Sequence, residues 1–135
     1  MLSLDRATWL AIVAHTYNEA PLEMCGLLAA PPGQPHVARF YPCRNAAASA
    51  RVYTVEPRDH LRADRDAEDN GWEIMGVVHS HTHSPAYPSP TDVASVADPA
   101  WHYAIVSLAD GAPVLRSYLL ADGNILEETA VVRKG

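Results

Sequence analysis

Cysteine is almost missing from this chain. Cys25 and Cys43 are the only two in 135 residues, and neither belongs to a C-x-x-C pair. Two cysteines build no disulfide framework, so the chain is expected in a reducing, cytoplasmic setting. The same lack argues against a zinc deaminase, whose metal site uses a cysteine pair. Basic charge is scarce as well. Ten Lys+Arg stand against 16 Asp+Glu, a formal net charge of −6, and no basic cluster stands out. Nucleic acid and anionic membrane surfaces are therefore not expected as partners. No apolar run approaches the roughly 20 residues needed to cross a bilayer. The opening MLSLDRATWLAIVAH has a short apolar run, with Asp5 and Arg6 before it, His15 after it and no clear cleavage site. It is expected to form a helix rather than a secretion signal.

What is present fits one globular domain over residues 1–135, with 48% hydrophobic residues. Asp5 is placed to cap a helix whose apolar face is Trp9, Leu10, Ile12, Val13 and Tyr17, and Pro21 ends it. EMCGLLAA reads as a short buried strand and PPGQP as a turn. VARFYP and ARVYTVEP read as two further strands separated by CRNAAASA. Pro57 to Asn70 reads as a densely charged helix with a solvated face, stopped by Gly71. WEIMGVVHSH is a continuous apolar run that leads into histidines, and SPTDVASVAD makes a short helix. WHYAIVSLAD, PVLRSYLLAD and ILEETAVVR follow as three strands, with turns at DGAP and DGN. The expected class is α/β, a mixed, mostly antiparallel sheet flanked by two or three helices.

Chemistry concentrates in HSHTHSPAYPSPTD, His79 to Asp92. Side chains alternate on a strand, so His79 and His81 face the same way and suit one zinc ion. A catalytic zinc takes three protein ligands and keeps a fourth position for water. His83 continues the alternation and is one candidate for the third ligand; Asp92 is the other. Pro85, Pro88 and Pro90 rule out a regular strand here, end it near Thr82 and favour Asp92 at a helix start. Ser89 and Asp92 also fit a capping box that would only satisfy backbone N–H groups. Ser80 should point away from the metal and support the strand. Cys25 reads as a buried small hydrophobe and His102 as a hydrogen-bonded strand histidine.

Taken whole, His79-Ser80-His81, seven residues, Ser89, two residues and Asp92 spell H-S-H-x7-S-x-x-D, with Glu23 upstream in EMCGLL. This pattern resembles the JAMM (MPN-plus, JAB-domain) zinc metalloproteases. HSHT, AYPS, TDV, HYAIVS and LRSY are similar to the compact bacterial branch, whose members include peptidases acting on sulfur-carrier proteins. The resemblance covers nearly the whole chain and implies a single JAB/MPN domain with one Zn2+ held by His79, His81 and Asp92. It implies Glu23 as the general base that then protonates the leaving amine, and Ser89 as the donor to the oxyanion. Asn45, Tyr87 and His83 are candidates for substrate contact. The implied partner is a ubiquitin-like or sulfur-carrier protein with an extended Gly-Gly tail. The implied reaction is hydrolysis of the amide after that tail, releasing a small amino acid such as cysteine within cysteine biosynthesis. An isopeptidase acting on protein lysines would share every catalytic residue. A non-catalytic scaffold module would have lost the ligands that are present here.

Overall fold

The computed structural model describes residues 1–134. The chain starts with a strand, β1 (Leu2–Asp5), which pairs in parallel with the last one, β8 (Ala130–Arg133). Leu2 and Leu4 are fully buried, so this pairing closes one side of the core. Helix α1 (Arg6–Glu19) follows directly. Asp5 holds the N-cap position but caps nothing, because its carboxylate accepts from His36 Nε2 at 3.0 Å. The inward stripe of α1 runs through the half-buried Trp9 and the buried Ile12 and Thr16, whereas Leu10 and Tyr17, expected on the apolar face, are exposed. Residues 9, 12 and 16 share one face of a 3.6-residue repeat, and residues 10 and 17 lie about 100° around it.

The main sheet contains β2 (Cys25–Ala30), β3 (Arg39–Cys43), β4 (Glu73–His81), β5 (His102–Ser107), β6 (Val114–Ala121) and β7 (Asn124–Glu128). Their order is β3-β2-β4-β5-β6-β7, antiparallel throughout except for the parallel β4–β5 pair. Helices α2 (Pro57–Asp69) and α3 (Pro90–Ala94) complete the domain. The middle strands read as continuous apolar runs because both faces of the sheet are covered. One core joins Leu2, Leu4 and Ile12 to Leu28, Val78 and Val106; the other joins Leu27, Val77 and Ile105 to Ala63 of α2. Gly76 lets β4 lie close to β5: a Cβ there would sit 2.6 Å from the His102 carbonyl oxygen. Among the described residues, no helix is long and apolar enough to cross a membrane.

Two strand expectations are corrected. ARVYTVEP forms no strand and makes only an isolated bridge, Asn45 to Val55. The Asn45 side chain meets backbone groups of this segment that a ladder would otherwise pair, accepting from Ala47 and Thr54 N–H and donating to the Ser49 and Val52 carbonyls. ILEETAVVR is not one strand either, because it breaks at Thr129. Glu128 turns inward there to His102 Nδ1 (2.6 Å), Ser117 Oγ (2.7 Å) and the Met1 amine (2.7 Å), and β8 departs to pair with β1.

Candidate metal centre

The site is built at the end of β4. Register fixes its position: His79 lies across from Cys25 of β2 and Ile105 of β5, and His81 across from Ser107. Ser80 faces the opposite side, fully buried, and its Oγ accepts the Met24 N–H at 2.7 Å. That bond ties the residue after Glu23 to the residue between the two histidines. Regular pairing stops at His81. Beyond it the proline-rich turn is pinned by side chains, since Ser107 Oγ donates to the Ser84 carbonyl at 2.6 Å and Tyr118 donates to the Ala86 carbonyl.

Pro90 takes the first turn of α3 and Ser89 its N-cap. The capping box forms: Ser89 Oγ accepts from Asp92 N–H (3.1 Å), and Asp92 Oδ2 accepts from Ser89 N–H (2.9 Å). Capping does not exhaust Asp92. The same Oδ2 lies 3.2 Å from His79 Nε2 and 3.2 Å from His81 Nε2, and the two nitrogens are 3.1 Å apart. Tetrahedral zinc, with bonds of about 2.0–2.1 Å, separates its ligand atoms by about 3.3–3.4 Å. A near-equilateral triangle of two imidazole nitrogens and one carboxylate oxygen therefore fits one face of such a site. His81 Nδ1 donates to the Pro85 carbonyl at 2.8 Å, which leaves Nε2 with its lone pair in the neutral tautomer.

Electrostatics separate the three residues. Burial holds His79 below the ordinary histidine range, in the neutral form that ligation requires. Burial also pulls on His81, but the hydrogen bonds with Asp92 and Pro85 raise it overall. Burial would raise Asp92, yet its bonds with His79 and His81 hold it well below the usual carboxylate range.

Glu23 lies just before β2 and is 3% exposed. Its carboxylate oxygen and the two histidine nitrogens fall within 4.8 Å of one another. Burial pushes its carboxyl up to about 7, with the His81 charge opposing and the Asp92 charge adding. Glu23 Oε1 and His79 Nδ1 are buried without hydrogen-bond partners. In a cluster serving only the fold the unpartnered Glu23 oxygen beside the triangle would be an uncompensated cost, so the donor set is compatible with a metal centre; His79 Nδ1, across its ring from Nε2, lies outside that argument.

The remaining candidates fall elsewhere. Asn45 is buried and all its polar atoms serve the protein: besides its loop bonds it donates to the Glu23 carbonyl at 3.0 Å. It is a tether rather than a group open to substrate. His83 is exposed, bonds to the Thr82 hydroxyl and stands outside the ligand triangle. Tyr87 is exposed and meets Tyr118 edge-on, with ring centres 5.7 Å apart. Cys25 is buried, and desolvation pushes its thiol up to about 12, which leaves it inert as a nucleophile. Tyr53, which the sequence did not single out, stacks on His79 with ring centres 4.4 Å apart. Its only sequence signal was aromatic character inside a segment read as a strand.

Against known proteins, the family model for prokaryotic homologs of the JAB domain matches residues 5–121. The chain is 40% identical over 119 residues to the CysO-cysteine peptidase of Mycobacterium tuberculosis, covering 87% of this chain and 82% of that protein. It is 33% identical over 120 residues to a probable TtuB-protein conjugate cleaving protease of Thermus thermophilus, covering 88% and 74%. A solution structure of a protein from Desulfitobacterium hafniense superposes with a TM-score of 0.91 at 33% identity, covering 100% of this chain and 94% of that one.

Proposed function

Since the chain belongs to the prokaryotic JAB-domain family, we propose that it is a zinc peptidase acting on a ubiquitin-like sulfur carrier. It cuts the amide after the carrier's Gly-Gly tail and releases a small amino acid such as cysteine. The observation that carries this reading is the triangle of His79 Nε2, His81 Nε2 and Asp92 Oδ2 beside the buried Glu23 carboxyl.

In this reading His79, His81 and Asp92 hold one zinc ion, which when bound supplies Lewis-acid activation of water and of the scissile carbonyl. Glu23 takes the proton of the attacking water and delivers it to the leaving amine. A carboxyl raised by burial suits both tasks, because it can accept a proton and return it. Ser89 Oγ already accepts the Asp92 N–H, so its own hydrogen is left to donate to the developing oxyanion. Tyr53, packed flat on His79, keeps that ring in place and water away from it. Residues 1–135 act as one catalytic domain, and the two buried free cysteines suit a cytoplasmic enzyme.

The relative with 40% identity is named for removing cysteine from a carrier. The one with 33% identity is named for cleaving protein conjugates, which supports isopeptidase action as the second reading. Offering a carrier–cysteine adduct and a lysine-linked carrier conjugate in parallel separates the two. Preferential loss of one cysteine, read by intact mass, supports the first; cleavage of the lysine conjugate alone moves the function to the second.

A further inference from the structure

A cavity of about 420 Å³ opens onto the site. Its floor is Glu23, His81 and Ser89, the first two buried, and the exposed Arg51 and His83 stand at its rim. We propose that Arg51 receives the α-carboxylate of the released amino acid and so selects a single residue attached after the tail. This rests on the reading of the reaction given above.

The backbone of Arg51 is placed rather than loosely tethered. Its N–H donates to Ser49 Oγ at 3.0 Å, and the Ser49 carbonyl accepts the N–H of Glu23 at 2.8 Å. Asn45 Nδ2 donates to the Ser49 and Glu23 carbonyls at once, so the segment that carries Arg51 is locked to the backbone of Glu23. Among the described residues, the arginines in ion pairs are Arg39 and Arg116, and Arg51 has no carboxylate partner. This chain has 10 Lys+Arg for 16 Asp+Glu. An unpaired arginine facing the same cavity as Glu23 therefore has a charge to offer a ligand.

The two kinds of leaving group differ in what accompanies the amine. A free amino acid carries a carboxylate one carbon away from the scissile nitrogen. A protein lysine presents four methylenes and then a peptide backbone. That carboxylate gives up water on entering the cavity, and a cation that meets it there offsets the loss. A guanidinium can do so with two parallel N–H donors. The lysine conjugate gains nothing from Arg51.

The test uses the full chain, zinc-loaded, with a carrier ending in Gly-Gly-Cys as the free acid and as the C-terminal carboxamide, beside a lysine-linked carrier conjugate. Wild type is expected to prefer the acid on the order of 10- to 100-fold in kcat/KM, the factor typical of one charge-assisted hydrogen-bonded contact. Arg51→Gln should lower the acid rate selectively, so that acid and carboxamide are cut at similar rates. Arg51→Lys should keep part of the preference. Arg51 is exposed, so thermal melts of both variants should match wild type. Equal cleavage of acid and carboxamide by wild type, or an equal loss on both in Arg51→Gln, overturns the role of Arg51 alone. Cleavage of the lysine conjugate with neither cysteine substrate cut overturns the leaving-group reading and the role of Arg51 with it.

Discussion

Replacing Asn45 by alanine removes five hydrogen-bond contacts at once, the three from Nδ2 shared between its two hydrogens. Nδ2 loses its bonds to the carbonyls of Glu23 (3.0 Å), Ser49 (3.3 Å) and Val52 (3.0 Å). Oδ1 loses those from the N–H groups of Ala47 (3.0 Å) and Thr54 (3.0 Å). Each is worth about 0.5–1.5 kcal/mol net, and partners that water can reach recover part of the loss, so the net cost is about 3 kcal/mol. For a chain of this size that corresponds to a fall of about 10 °C in Tm. Asn45→Asp keeps the acceptor but loses the donors and sets a charge against three carbonyl oxygens, so it should be no milder. Urea and thermal unfolding measure both variants. Because the same amide holds the backbone of Glu23, kcat should fall more than KM rises. A stability loss under about 1 kcal/mol, less than a single typical hydrogen bond, together with a raised KM would refute this account and return Asn45 to the substrate.

Glu128 carries part of the acid limb of stability. Burial would raise its carboxyl, but the bonds from His102, the Met1 amine and Ser117 pull it from 4.5 down to about 2. A folded-state value below the unfolded one contributes stability that is full above about pH 4.5 and lost as the pH falls to about 2. Discounted for solvent screening the amount is on the order of 2 kcal/mol, and Glu128→Gln should lower stability at pH 7 and remove that share of the acid limb in pH-dependent melts. Gly76→Ala puts a methyl group 2.6 Å from the His102 carbonyl oxygen and should cost about 1–3 kcal/mol in urea unfolding, as overpacking does. Ser80→Ala strands the buried Met24 N–H at a cost of about 1–3 kcal/mol. It should also slow turnover through the neighbouring Glu23, with the bound-zinc count unchanged by elemental analysis. Chelation should lower Tm, and free zinc at 100 times its Kd should restore about 2.7 kcal/mol; Asp92→Ala should abolish that response.

The site was more legible than the edges of the fold. That His79 and His81 face the same way follows from strand alternation, and the prolines after them announce that the strand stops. Alternation by itself also allowed His83 as a ligand; the end of β4 at His81 and the exposure of His83 place it outside the triangle. Glu23 reaches the centre through the β2–β4 register, Cys25 against His79, and no local pattern states a register. The β1–β8 pair was invisible because its two short strands lie at opposite ends of the chain and carry no turn between them. Val52, Tyr53, Thr54 and Val55 have strand-forming side chains, and the segment was misread on that basis. What decides its course is the side chain of Asn45, which satisfies backbone groups that a neighbouring strand would otherwise pair.

The most direct test of a catalytic metal centre at His79, His81 and Asp92 is cleavage of a Gly-Gly-Cys carrier, followed by intact mass with zinc counted in the same samples. Wild type, Glu23→Gln and chelated enzyme are run side by side. The account predicts one zinc and loss of one cysteine for wild type, one zinc and no cleavage for Glu23→Gln, and no cleavage after chelation. Undiminished cleavage by the chelated enzyme or by Glu23→Gln would contradict it.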